Sequence, residues 1–384
     1  MRGETIIIVE GGSMRGIKQR HRQLAERFAR DNRVIYIEEP GNIITVFLSK
    51  EKPISNLWAW AGGLRRIAPN FVGWTPPPGL PFGYIYPWIN SWNHFWYRLC
   101  YRIVCREMPT KPILIINNVL GLEWLGFFGE KLRIYDCCDE ITGFRIPGLR
   151  PDVVRRKEKE LIEACDLVIC SSQKLFDTKS PMAKHTVLVR NAAEVAHFRT
   201  ALDVDLPRPE AIMNIDKPIV GFWGYLADWL DWDIIEHCIH NASGLHFLLI
   251  GPATKGLTKY IDAHNVTYTG PLPYDVLPQY LSFFSCAILP FARNELTEGV
   301  NPVKAYEYLA GGCPVVATPL PELNIFGENI YFATDSPSFL DAIYKAIKDD
   351  TLEKRHSRAD FVSGQDWDAR VGEIYSAINN LINY

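Results

Sequence analysis

The sequence predicts two consecutive α/β domains, each built on a doubly wound parallel sheet, and three observations predict it. Short apolar runs alternate with amphipathic stretches along most of the chain, the pattern of strands covered on both faces by helices. The alternation runs to completion twice, and at 384 residues the chain is longer than one hydrophobic core usually spans. Between the two runs lies 200–217, a Pro-bearing stretch with neither a helical nor a strand period.

In the first half, strands are expected at 5–10, 34–38, 112–117, 132–136, 167–170 and 186–189, with helices between them such as 17–30 and 152–165. The second half reads as strands at 219–223, 246–250, 266–268, 286–289, 314–317 and 330–332. After the last of these, Val371, Ile374, Tyr375, Ile378 and Leu381 recur at helical spacing. The expected division is a first domain over 1–199, a linker over 200–217, a second domain over 218–362 and a terminal helix over 363–384 that returns to the first domain.

Composition removes several function classes. Apolar residues make up 47% and charged residues 22%, a globular balance that argues against disorder. A net charge of −3 gives no electrostatic case for nucleic acid as a partner. The nine cysteines are scattered and odd in number, and the apolar run at 5–9 is too short for a signal peptide and reads as the first strand. These features point to a reducing, cytoplasmic setting. Cys137-Cys138 and the Cys165/Cys170 pair lack zinc-ligand spacing, so no metal is expected. No run of eighteen apolar residues exists to span a bilayer.

One insertion interrupts the first domain. Residues 57–104 hold Trp58, Trp60, Trp74, Trp88, Trp92, Phe95, Trp96 and Tyr97 among Arg65, Arg66, Arg98 and Arg102. Such a segment suits an aromatic satellite core, a sugar-stacking acceptor surface or an interfacial membrane patch, and the sequence leaves the three open.

The segment 288–318 carries the most chemistry. It runs from a strand end through a loop to a helix with Asn301 expected as N-cap, Pro302 at the first helical position and Gly311-Gly312 at the stop. Ligands of open α/β sheets bind outside the carboxyl ends of the strands. A helix start there offers backbone N–H groups and partial positive charge, and Lys304 adds a full charge, so a diphosphate can be held without a metal. Glu307, three residues on, lies on nearly the same face and can accept hydrogen bonds from ribose hydroxyls. The competing reading is a Lys304/Glu307 ion pair on a solvated face.

This segment resembles the donor-site signature of family-4-like bacterial glycosyltransferases, in the branch with Asn-x-Leu-Thr followed by Asn-Pro-x-Lys-x-x-Glu-Tyr-Leu-Ala. The matching residues are Asn294, Leu296, Thr297, Asn301, Pro302, Lys304, Glu307, Tyr308, Leu309 and Ala310. The resemblance implies a GT-B fold, two Rossmann-like doubly wound parallel-sheet domains facing a central cleft. It also implies donor-binding roles for Gly224, Tyr225, Asn294, Thr297, Glu298, Asn301, Lys304 and Glu307. Retaining members of the wider group place two glutamates eight positions apart. Here Gly299 stands eight before Glu307 and Glu298 is one place off, which leaves the anomeric outcome open.

In the first domain, Tyr135–Thr142 follows a strand and resembles the region of the xanthan-type glucuronosyltransferases in which an Asp serves as base. The carry-over is to Asp139, with Glu140 the near rival, while Asp136 is expected in the strand end. A turn aspartate accepting backbone N–H groups is the structural alternative. Gly11 and Gly12 follow the first strand and permit close backbone approach, and Gln19, Arg20 and Arg22 could meet an anionic acceptor, or be plain surface. Asp228 or Asp231 either bonds a donor sugar or caps a helix beginning near Trp229.

The expected activity is transfer of a sugar from a nucleoside diphosphate sugar, UDP-linked by preference, to a saccharide or lipid-linked saccharide in surface polysaccharide assembly. No cofactor beyond the co-substrate, no nucleic acid and a peripheral membrane contact at the inner face of the cell membrane are expected. The alternatives are a nucleotide-sugar 2-epimerase, which shares the two-lobed fold, and a non-catalytic nucleotide-sugar-binding protein.

Overall fold

The computed structural model describes residues 1–11, 18–44, 58–83, 85–105, 108–143, 150–203, 206–254 and 263–382. The chain divides into two compact units, Met1–Arg190 with Val371–Tyr384, and Asn191–Arg370. The division falls at Arg190/Asn191, ahead of the 200–217 stretch, and the last helix gives most of its length to the first unit.

The first unit holds an eight-stranded sheet in the order β3-β4-β2-β1-β5-β6-β7-β8. Its strands are β1 (Thr5–Gly11), β2 (Arg33–Glu38), β3 (Arg65–Ala68), β4 (Phe71–Trp74), β5 (Ile113–Ile116), β6 (Leu132–Cys137), β7 (Leu167–Cys170) and β8 (Thr186–Leu188). All pairings are parallel except β3 against β4. β3 and β4 lie inside the tryptophan-rich insertion, where aromatic density hid the strand period. β3 is a short, half-exposed edge, and Arg65 and Arg66 on it discourage further strand pairing.

The central strands β1 and β5 are buried on both faces, which is why they read as unbroken apolar runs. Helix α1 (Arg20–Asp31) follows β1 and buries Leu24, Ala25 and Phe28. Helix α2 (Pro87–Val104) buries Ile89, and packs Tyr97, Cys100 and Tyr101 in one cluster with Trp74 and Trp124. The terminal helix packs on α1: the Tyr375 ring lies 5.5 Å from that of Phe28, and Asn32 Nδ2 donates to Tyr375 Oη at 2.8 Å.

The second unit holds a six-stranded, all-parallel sheet in the order β11-β10-β9-β12-β13-β14. Its strands are β9 (Ile219–Trp223), β10 (His246–Ile250), β11 (Val266–Gly270), β12 (Phe284–Leu289), β13 (Val315–Ala317) and β14 (Ile330–Phe332). This is the 3-2-1-4-5-6 order of a mononucleotide-binding doubly wound sheet, with the reversal between β9 and β12. Gly221 sits mid-strand in β9 because a Cβ there would stand 1.8 Å from the Phe284 ring; a smaller side chain does not exist.

Candidate functional site

The loops that leave β9, β10 and β12 meet at the reversal in the second unit. Gly224 N donates to Ile250 O at 2.9 Å, Gly251 N to Gly270 O at 2.8 Å, and Asp231 N to Pro290 O at 2.7 Å. A Cβ on Gly251, whose φ is +133°, would stand 1.9 Å from Gly224 O, so only glycine allows the two loops to touch. Gly224 itself has φ +147°, and a Cβ there would meet Lys304 Cε at 3.0 Å. The lysine stem therefore lies across Gly224, bringing together two residues that are 80 positions apart in sequence (304 − 224).

Lys304 occupies the first turn of α9 (Val303–Ala310), the helix that follows the loop after β12. It is half-buried, and no carboxylate lies within ion-pair distance of it among the described residues. The ion pair with Glu307 is thus not formed. Glu307 is 5% exposed, and its Oε2 accepts the Trp223 indole N–H at 2.8 Å, with Tyr274 giving another side-chain hydrogen bond. Desolvation raises its carboxyl above the usual range, against the opposing pull of the Lys304 charge and those two bonds. Trp223 is fixed in turn by its own backbone N–H, which donates to Tyr308 Oη at 2.9 Å, and by stacking on Phe198.

Asn301 does not cap α9. The helix begins at Val303 with Pro302 in the cap position, because the Asn301 side chain is buried and committed elsewhere. Its Oδ1 accepts from Asn191 N at 2.9 Å, its Nδ2 donates to Glu322 at 2.9 Å, and its carbonyl accepts from Asn191 Nδ2 at 2.7 Å. These bonds hold the loop that precedes α9 and occupy both ends of the Asn301 side chain.

Asn294 and Thr297 are likewise spent on each other. They form a reciprocal capping box around α8 (Glu295–Glu298), with Asn294 Oδ1 accepting from Thr297 N and Thr297 Oγ1 accepting from Asn294 N, both at 3.0 Å. Thr297 Oγ1 also donates to Ala292 O. Glu298 is half-buried at the end of that turn.

Tyr225 is exposed, its ring 5.6 Å from that of Trp229. Asp231 caps α6 (Trp232–Asn241) through Ile234 N at 3.1 Å, so that helix starts later than expected. Asp228 is exposed in the loop before it.

The first-unit candidates lie at the carboxyl end of β6. Asp136, the next-to-last residue of the strand, is buried and accepts the Arg20 Nε–H on both oxygens at 3.1 Å. Arg20 is thereby a buried structural cation rather than an acceptor contact. Asp139 is exposed just beyond the strand. Glu140 is anchored: its carboxylate accepts from Thr142 Oγ1 at 2.8 Å and from Lys179 Nζ at 3.0 Å. Against the desolvation that would raise it, the Lys179 charge and these bonds hold its carboxyl below the usual range.

Lys179 also donates to Glu158 at 2.8 Å, which accepts from Tyr135 Oη at 3.1 Å. This buried network pins the turn that carries Asp139, and nothing local in the sequence marks it. Arg22 is half-buried and paired with Glu26 at 2.9 Å, while Gln19 is exposed at the start of α1. Gly11 ends β1; Gly12 lies outside the described residues. No group of His, Cys, Asp and Glu that could hold a metal occurs among the described residues.

Two Rossmann-like units, the second with a lysine laid across a glycine turn at its switch point, define the GT-B fold. Comparison with solved structures agrees: sucrose-phosphate synthase from Thermosynechococcus elongatus superposes with a TM-score of 0.72 at 16% identity, covering 99% of each chain. Anabaena HepE, solved in complex with UDP and glucose, superposes with a TM-score of 0.66 at 15% identity, covering 98% of this chain and 100% of that one.

Residues 217–349 match the family described as Glycosyl transferases group 1, and the match lies within the second unit. Among curated proteins, TuaH of Bacillus subtilis (strain 168), named as a teichuronic acid biosynthesis glycosyltransferase, is 27% identical over 260 residues. That match spans 63% of this chain and 65% of the relative's length.

Proposed function

We propose that the chain is a glycosyltransferase that moves a sugar from a nucleoside diphosphate sugar, UDP-linked by preference, to a saccharide or lipid-linked saccharide acceptor. The observation that carries this reading is Lys304. A half-buried ammonium without an ion pair among the described residues, laid over a glycine turn at the switch point of a mononucleotide-binding sheet, matches a diphosphate in charge and position. The group 1 domain over the same residues supports it, as does the fold shared with HepE, which was solved with UDP.

In this reading the diphosphate lies against Lys304, Gly224 and the first turn of α9. The ribose hydroxyls meet the Glu307 carboxylate, which keeps lone pairs beyond those that Trp223 and Tyr274 occupy. Tyr225 offers an exposed ring to the base or the sugar. The acceptor oxygen bonds to the anomeric carbon as the bond from that carbon to the phosphate oxygen breaks. The nucleoside diphosphate leaves with the electron pair, and Asp139 takes the acceptor proton.

Asp139 is taken over Glu140 because the resemblance to the xanthan-type glucuronosyltransferases points to it and because it is exposed where Glu140 is half-buried. The same reading extends to place: the similarity to TuaH, named for teichuronic acid biosynthesis, supports surface polysaccharide assembly, and the proposal sets that assembly at the inner face of the cell membrane. Calorimetry of the full chain against UDP, GDP, ADP, TDP and their sugar conjugates tests the proposal. Selective binding of one nucleoside diphosphate and its conjugate is expected, and binding of none would overturn it.

A further inference from the structure

Helix α2 presents two apolar faces, and the described residues cover only one. The inner face is buried as described. The outer face carries Trp88, Trp92, Phe95, Trp96, Leu99 and Ile103, at the i, i+4, i+7 spacing that makes one continuous stripe. All six are exposed, Trp88 by 67% and Ile103 by 64%. Isolated surface apolar residues need no explanation, but a continuous aromatic stripe along a whole helix does. Trp60 extends the stripe sideways, its ring 6.4 Å from Trp96 and 6.4 Å from the exposed Trp58.

Charge identifies what covers this face. From Trp58 to Cys105 the chain holds Arg65, Arg66, Arg98 and Arg102 and no acidic residue, in a protein whose net charge is −3. Arg98 and Arg102 run along one edge of the stripe, one turn apart, each set over the Phe127 ring at 5.4 and 5.1 Å. Neither makes an ion pair among the described residues, although Glu123 and Glu130 lie near enough to act on Arg98. Glu123 itself faces Lys157 at 3.8 Å. A helix with a tryptophan-rich apolar face and an arginine edge is built to lie in the headgroup layer of a bilayer, rings among the acyl chains and guanidinium groups on phosphates. No helix among the described residues is long and apolar enough to cross a membrane.

We infer that the outer face of α2 docks the protein onto an anionic lipid surface. The surface is independent of the donor-site reading, so Lys304→Ala should leave it unchanged. The test is co-sedimentation of the full chain with phosphatidylcholine vesicles and with vesicles containing phosphatidylglycerol, alongside quenching of tryptophan fluorescence by brominated acyl chains. Binding to the anionic vesicles with quenching is expected. Trp92→Ser with Phe95→Ser should weaken binding about tenfold or more, and both sites are exposed enough for the fold to survive. Arg98→Gln with Arg102→Gln, or added salt, should remove the preference for anionic lipid.

Wild-type protein that ignores both kinds of vesicle would overturn the inference. So would a folded Trp92/Phe95 variant that sediments like the wild type. Self-association through this face, abolished by the same two substitutions and without vesicle binding, would replace the lipid with a second copy of the chain.

Discussion

Substituting Lys304 by alanine is the sharpest perturbation of the proposed donor site. The side chain is half-buried and has no ion-pair partner within 4.0 Å among the described residues, so its removal breaks no native salt bridge. Stability should change by less than about 1 kcal/mol, a Tm shift within roughly 4 °C for a unit of this size. The bound state differs. A charge-assisted hydrogen bond to a diphosphate is worth roughly 1.5–3 kcal/mol, so the Kd for UDP should rise about 10- to 160-fold. Free uridine, lacking the phosphates, should bind wild type and variant alike.

Calorimetry of the folded variant against UDP and uridine measures both quantities, and a repeat at high salt should narrow the gap as screening weakens the phosphate contact. If Lys304→Ala bound UDP as tightly as the wild type while keeping its melting curve, the diphosphate would not lie at this turn. The argument from charge and position would then fail.

Three further outcomes follow from the same geometry. Asp139→Asn should lower glycosyl transfer at least about a hundredfold while UDP affinity stays constant, read by nucleotide release and calorimetry; full activity would move the base elsewhere. Glu307 has a folded-state pKa above its unfolded value, so between the two the native state keeps a proton that the unfolded chain has lost. Stability should therefore fall as pH rises through that window, and Glu307→Gln, which still accepts the Trp223 indole N–H, should flatten the slope in melts taken across pH; an unchanged slope would count against the buried, desolvated carboxylate.

His94 is buried between Tyr97 and Trp124, and desolvation lowers its pKa to about 3. The first unit should lose stability as pH falls from about 6.5 towards that value, because the unfolded chain takes up the proton first. His94→Phe should remove that limb of the stability curve, and acid melts that match the wild type would assign the loss to other groups.

Much of the architecture was legible because it is written in local pattern. The apolar runs of the two central sheets are short, bounded by turn residues and separated by helical periods, and each expected strand lies within a residue or two of an observed one. β3 and β4 escaped because their residues sit among tryptophans and prolines that carry no clean alternation. The segment 288–318 was legible in composition but not in the use of each residue. Asn301, Asn294 and Thr297 have the right chemistry to touch a ligand, and the structure spends all three on holding the backbone that surrounds Lys304.

The sequence by itself determined the two doubly wound units, the glycine turn after β9 and the cation in the helix after β12. Each is a property of a few neighbouring residues and of their period. Only the tertiary structure decided that Lys304 lies across Gly224, that Glu307 is buried under Trp223, that Glu140 is tied to Lys179, and that the tryptophans of α2 divide between a core and an open face. The partners in those contacts come from strands and helices tens of residues apart. Whether a polar side chain is free to bind or already satisfied depends on which of them folding brings within hydrogen-bond reach.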